Sequence, residues 1–263
     1  LVRRHGVTSC SLAPTMLQAL LDHLDTTGTR LPTLRAIAYG SAAMPAGLIR
    51  RAIELLDVDF HQGYGMTETA GNVTFLGPDD HRSGDPRLLA SAGYPHHDVR
   101  LRIVGADGAP LPPGGVGEIE VSGPQVCAPG WLRTGDVGRL DPDGRLYVLD
   151  RVKDVIITGG ENVASREVED VLSAHPAVAE VAVVGVPDPY WGEAVCAVVV
   201  PTPGVPRPEA DELAGFVRAR IAAFKRPRHV LFVDALPRTT NGKVAKDELR
   251  SRARAELGLD GIG

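Results

Sequence analysis

Apolar positions recur at helical spacing early in the chain and at strand spacing later. Leu17, Leu20, Leu21 and Leu24 share one face of a segment opened by Pro14, which predicts a helix over 13–24. Residues 34–39 read as a short strand, followed by the turn Gly40-Ser41-Ala42-Ala43. Pro45 suits a first helical position, and Leu48, Ile49, Ala52, Ile53 and Leu56 continue one apolar face. Residues 58–62 are a second strand candidate, ending in Gly63-Tyr64-Gly65. The alternation of helix and strand predicts an α/β layer with a parallel sheet.

Near residue 95 the period changes. Val99, Leu101 and Ile103 alternate with Arg100 and Arg102, and Ile119 and Val121 alternate with Glu118 and Glu120, as half-buried strands do. Asp143-Gly144 predicts a hairpin joining 137–140 to 145–149. After Asp150 the pattern is mixed: strands at 155–157, 178–186, 194–200 and 229–233, and helices around 168–172, 213–224 and 244–257. The expected organisation is therefore an α/β region at 1–94, a small β unit at 95–150 and an α+β domain at 151–263, a usual domain size.

Composition narrows the function classes. The 263 residues carry a net charge of −5, which is no electrostatic footprint for nucleic acid. No apolar run is long enough to span a membrane, and no secretory leader is visible, so a cytoplasmic location is expected. Cys10, Cys127 and Cys196 are scattered and odd in number, giving no disulfide framework and no zinc spacing. His96 and His97 are adjacent, but no helical His-x-x-x-His or Glu-x-x-His spacing occurs, which argues against a metal site built by histidine. Only Lys153, Lys225, Lys243 and Lys246 are lysines, so each merits individual attention.

Four segments carry candidate chemistry. Gly63-Tyr64-Gly65-Met66-Thr67-Glu68-Thr69 offers close backbone approach, a hydroxyl for a phosphate oxygen and a carboxylate suited to Mg²⁺; a capped turn explains it equally well. Thr134-Gly135-Asp136 can place a carboxylate on a ribose diol or simply be an Asp turn. Asp150-Arg151-Val152-Lys153-Asp154 with Gly159-Gly160-Glu161-Asn162 lies at the composition break, as a hinge or a solvated loop. Pro237 through Lys243 presents a lysine after a glycine, yet it lacks the Gly-x-x-x-x-Gly-Lys-Ser/Thr phosphate loop.

The order and spacing of these segments, with Gly40 through Pro45 and Asp188 through Glu193, resemble the adenylate-forming (AMP-binding) superfamily, closest to its acyl-CoA synthetase branch. The resemblance implies a truncated acyl-CoA synthetase-like fold in which 151–263 is a mobile C-terminal domain. It implies ATP-dependent carboxylate adenylation followed by thioester formation, an AMP-forming acid–thiol ligase activity in fatty acid metabolism. The implied cofactors are ATP, Mg²⁺ and coenzyme A; the partners are a small carboxylic acid and CoA or a carrier-protein thiol. Carried over by position, Thr67 contacts the α-phosphate, Glu68 holds the metal, Tyr64 flanks the adenine, and Gly65 belongs to the nucleotide site. Gly40 and Ser41 line the adenine and acyl pocket, and Asp136 and Arg151 hold the ribose. Lys243 acts in adenylation, Lys153 is the hinge, and Gly159, Gly160 and Glu161 belong to the thiol side.

Three departures accompany the resemblance. No lysine-bearing phosphate loop occurs in residues 1–60, so a partial chain, inactive alone, is expected. Cys127-Ala128-Pro129 bridges a gap where the family is longer, and Tyr94 stands where a basic residue is common. An inactive AMP or acyl-adenylate binding module, or a subunit needing a partner for the missing half, remains the alternative reading. Homo-oligomerisation is left open.

Overall fold

The structure is a computed structural model that describes residues 1–40, 44–240 and 242–259. The chain divides into two compact units, Leu1–Val148 and Leu149–Gly263.

In the first unit, α2 (Pro14–Thr27), β2 (Ala36–Gly40), α3 (Ala46–Leu55) and β3 (Asp59–Met66) alternate as the apolar period predicts, preceded by α1 (Val2–His5) and β1 (Ser9–Leu12), which it does not predict. The helix expected over 13–24 runs a turn further, until Gly28 caps it in the left-handed conformation at φ 63°. It buries Leu17, Leu21 and Leu24 against Ile37, Ile49 and Phe60. Strands β1, β2 and β3 pair in parallel.

The sheet is not parallel throughout. After a 3₁₀ turn at Thr67–Thr69, β4 (Gly71–Leu76) returns antiparallel to β3, and β5 (Tyr94–Pro95) antiparallel to β4. The sequence hides β4 because its faces invert the usual rule: Thr74 is buried and Phe75 is 45% exposed. Thr74 is tolerated inside because its hydroxyl donates to the Ala92 carbonyl at 2.7 Å. Short helices α4 (Pro78–Ser83) and α5 (Pro86–Leu89) lie between β4 and β5, neither of them anticipated.

The next four strands form one sheet in chain order: β6 (Arg100–Val104), β7 (Gly117–Ser122), β8 (Leu132–Leu140) and β9 (Leu146–Arg151). Ile103, Ile119, Val121 and Leu146 make its core with Val73 and Val99. Arg145 stacks 4.4 Å over the Tyr94 ring, so a cation does stand beside that position, supplied from elsewhere in the chain.

The second unit contains β10 (Ile156–Thr158), β11 (Glu161–Val163), α6 (Ser165–Leu172), β12 (Val178–Asp188), β13 (Gly192–Pro201), α7 (Ala210–Arg218), β14 (His229–Phe232) and α8 (Lys246–Glu256). The long β12–β13 ladder is antiparallel, whereas β14 joins β13 in parallel. Both faces of this ladder are covered, which is why β12 and β13 read as continuous apolar runs. Val183, Val195 and Val199 face Val168 and Leu213 on one side. Val184, Cys196 and Val198 face Leu249 and Ala253 on the other. That burial pushes the Cys196 thiol up to about 12. The helix expected over 213–224 stops at Arg218, and only a 3₁₀ turn, Ala223–Lys225, continues it. No helix among the described residues is long and apolar enough to cross a membrane.

Candidate functional site

The first-unit site is built where β3 ends. Gly40 of β2 lies in register with Gly63 of β3, and a Cβ on Gly40 would stand 2.5 Å from the Gly63 carbonyl oxygen. A Cβ on Gly65 would stand 2.0 Å from the Gly71 carbonyl oxygen. The β3–β4 register also shifts between Tyr64 and Gly65, a bulge that re-aims the strand end. Glycine is required here by close backbone approach.

The turn that follows is held from inside. The buried Thr69 hydroxyl accepts the Met66 N–H at 3.0 Å and lies 2.9 Å from the Met66 carbonyl and 2.7 Å from the Gly71 carbonyl. The Cys127 N–H donates to the Glu68 carbonyl at 2.9 Å. Thr67 and Glu68 are exposed at the tip. The motif is thus a strand–turn–strand element, not the start of a helix, and Thr67 caps nothing.

Asp136 sits on β8, 5% exposed, and its Oδ2 accepts the Tyr64 hydroxyl at 2.7 Å. Its backbone is fixed by Thr134, whose hydroxyl accepts the Asp136 N–H at 3.1 Å and donates to Ile119 at 2.9 Å. The short Cys127-Ala128-Pro129 bridge therefore leaves Asp136 anchored. The structure brings Gly40, Tyr64, Gly65, Thr67, Glu68 and Asp136 into one unit. Ser41 lies outside the described residues. Asn72, not singled out from the sequence, has its side chain against Gly63, where a Cβ would meet its amide nitrogen at 2.1 Å. A lone asparagine in an unrecognised strand offers no sequence signal.

The remaining candidates belong to the second unit. Arg151 is exposed at the end of β9. The buried Asp150 beside it accepts the Ser165 N–H at 2.5 Å and hydroxyl at 2.8 Å. Lys246 donates to the same hydroxyl at 2.6 Å and pairs with Glu169 at 2.7 Å. Lys153 donates to Asp247 at 2.9 Å, which holds the Asp247 carboxyl below the usual carboxylate range. Arg250 adds contacts to the Lys153 carbonyl at 3.1 Å and to Asp154. Lys153 is thus tied to α8, which sequence spacing did not reveal across 94 residues.

Gly159 and Gly160, at φ 60° and 83°, form the two-residue turn between β10 and β11, with Glu161 exposed beside it. Two successive positive φ values demand glycine-like residues in such a hairpin. The Gly159 N–H donates to the Trp191 carbonyl at 2.8 Å, and a Cβ there would strike the Trp191 ring at 2.6 Å. Trp191 is itself placed by Asp188, whose carboxylate accepts the Trp191 and Tyr190 N–H groups at 2.9 Å each and is thereby held below its ordinary range. Lys243 is exposed on a tight loop closed by Thr239 N–H to Lys243 carbonyl at 2.7 Å and Gly242 N–H to Thr239 carbonyl at 2.8 Å.

The first unit thus holds an exposed hydroxyl and a carboxylate at a pinned turn, with a buried aspartate bonded to a half-buried tyrosine; the second unit presents a lysine on a short loop. Residues 1–131 match the AMP-binding enzyme family, and residues 167–243 match the AMP-binding enzyme C-terminal domain. The chain belongs to the AMP-binding enzyme family. It is 42% identical over 265 residues to the feruloyl-CoA synthase of an Amycolatopsis species, covering 95% of this chain and 53% of that protein. Among solved structures it is similar to the amide bond synthetase McbA from Marinactinospora thermotolerans: TM-score 0.87, 38% identity, 96% of this chain and 53% of that one. It is also similar to the Bacillus subtilis O-succinylbenzoate coenzyme A synthetase in complex with ATP and a magnesium ion: TM-score 0.81, 36% identity, 94% and 52% covered. The fold is that of the adenylate-forming enzymes. The chain spans about half the length of the relatives it matches.

Proposed function

We propose that this chain carries the adenylate-binding floor and the mobile domain of an AMP-forming acid–thiol ligase. Residues 1–94 supply part of the large AMP-binding subdomain, 95–150 the small β subdomain, and 151–263 the C-terminal domain that turns about Lys153. The observation that carries the reading is the Tyr64–Asp136 hydrogen bond beside the pinned Thr67-Glu68 turn.

In this reading a substrate carboxylate oxygen attacks the α-phosphorus of ATP, and pyrophosphate leaves. The thiol sulfur of coenzyme A or a carrier protein then attacks the acyl carbon; it loses its proton, and AMP leaves. Thr67 donates its hydroxyl to an α-phosphate oxygen. The Glu68 carboxylate is a hard oxygen donor exposed at the turn, and its chemistry fits Mg²⁺. When bound, Mg²⁺ neutralises phosphate charge. Tyr64, Gly40, Ser41 and Gly65 bound the adenine, and Asp136 and Arg151 take the ribose hydroxyls. Lys243 brings its ammonium to the approaching anions; at ~4 Å and effective dielectric ~20 one such pair is worth roughly 4 kcal/mol. Positioning and charge neutralisation supply the catalysis. Gly159, Gly160 and Glu161 serve the thiol half-reaction. A cytoplasmic place in fatty acid or aromatic acid activation suits these substrates.

A second reading is a module that holds AMP or acyl-adenylate without making it. ATP–pyrophosphate exchange separates the two. The chain of 263 residues is expected to exchange negligibly, and a chain extended to the full length of its relatives to exchange readily. Failure of the extended chain with a broad acid panel would favour the binding module.

A further inference from the structure

The loop from β5 to β6 gathers chemistry that the adenylation reading does not use. His96 N–H donates to the Val73 carbonyl at 2.9 Å, and Val99 N–H donates to the His96 carbonyl at 2.8 Å. These bonds close residues 96–99 into a β-turn moored to β4, so three consecutive ligand-bearing side chains project from a fixed base. One ring nitrogen from each of His96 and His97 and one carboxylate oxygen of Asp98 lie within 4.8 Å of one another. Among the described residues this is the one group of three histidine, cysteine or carboxylate side chains gathered so closely.

A second observation bears on the same place. His96 Nδ1 is the one buried side-chain nitrogen or oxygen among the described residues without a hydrogen-bond partner. An unsatisfied buried polar atom costs stability and calls for a partner. The two rings lie with centroids 4.2 Å apart, and His97 Nε2 is 2.9 Å from Asp98 Oδ2. His97 and Asp98 are exposed, 76% and 55%, and have room to close on an ion from solvent.

We propose that His96, His97 and Asp98 form a site for a divalent transition-metal ion. Two imidazoles and one carboxylate suit Zn²⁺, Ni²⁺ or Cu²⁺; a hard ion such as Mg²⁺ prefers an all-oxygen shell. Three protein ligands leave a coordination position open to solvent. The helical His spacing sought in the sequence is not needed, because a β-turn presents adjacent residues to one ion. The site is separate in kind from the hard-oxygen donor at Glu68.

Isothermal titration of ZnCl₂ into the EDTA-stripped, dialysed chain tests the proposal. One equivalent of Zn²⁺ is expected to bind. His97→Gln and Asp98→Asn should each weaken binding about tenfold or more, since losing a ligand costs at least the roughly tenfold of a lost outer-shell partner, with unchanged far-UV circular dichroism. Cys127→Ser should bind as the unaltered chain does. No binding by the unaltered chain, undiminished binding by both ligand variants, or loss in Cys127→Ser would each overturn the assignment.

Discussion

The two units hold their functional residues in opposite ways. In Leu1–Val148 several nucleotide candidates are packed: Gly40 and Gly65 touch backbone, and Asp136 is nearly enclosed and bonded to Tyr64, although Thr67 and Glu68 are exposed. In Leu149–Gly263 the candidates stand on exposed turns: Lys243 on a five-residue loop, Gly159-Gly160 on a hairpin, and Lys153 on a 3₁₀ turn. In the second unit the buried Asp150 and Ser165 are instead bonded to Lys246 and Glu169 in one polar chain. On the proposed reading, enclosed contacts such as Asp136 hold the adenylate while the groups presented on turns act on it in succession.

That contrast can be broken by substitution. Gly65→Ala carries the largest expected effect on stability. Its Cβ would meet the Gly71 carbonyl at 2.0 Å, and neither backbone can yield without unpairing β3 from β4. Overpacking of this kind costs about 1–3 kcal/mol or more. Calorimetry should show the first unit's transition falling and the second unit's unmoved; a shared fall would mean the units are not energetically separate. Tyr64→Phe is expected to be milder. It removes one donor from the nearly buried Asp136, worth about 1–3 kcal/mol, and should weaken AMP binding by the chain in fluorescence or calorimetric titration. An unaltered affinity would detach this pair from the nucleotide.

The smallest effect concerns pH. His81 is 1% exposed; its Nδ1–H donates to the Gly77 carbonyl at 2.7 Å, and its Nε2 accepts the Tyr39 hydroxyl at 2.9 Å. Burial holds its pKa below the ordinary histidine value, against the raising influence of Gly77 and Asp80. The unfolded chain then binds the proton more readily than the folded one, so stability falls as pH drops below about 6.5. Each unit of pKa depression costs at most about 1.4 kcal/mol. The first unit's melting temperature should decline between pH 7 and pH 5.5, and His81→Gln should flatten that decline. A slope unchanged in the variant would assign it elsewhere.

Much of the architecture was legible because burial follows period. Leu17, Leu21 and Leu24 announce α2, and the valine runs of β12 and β13 announce strands covered on both faces. β4 was illegible because Thr74 turns inward on a hydrogen bond and Phe75 turns outward. The site was legible only as separate motifs. Tyr64 and Asp136 meet across 72 positions, and Ser165 and Lys246 across 81, distances over which spacing carries no information. The resemblance linked the motifs; the geometry supplied their partners. The turn that gathers His96, His97 and Asp98 was not legible because adjacent residues carry no helical ligand spacing.

On the proposed reading, the enclosed nucleotide contacts serve both half-reactions while the presented Lys243 serves one. Lys243→Ala, in a chain extended to full length, tests it directly. Acyl-adenylate formation should fall by about 100-fold or more, the scale of losing one charge-stabilising donor, while thioester formation from supplied acyl-adenylate stays close to that of the unaltered enzyme. Equal loss of both half-reactions would contradict the account.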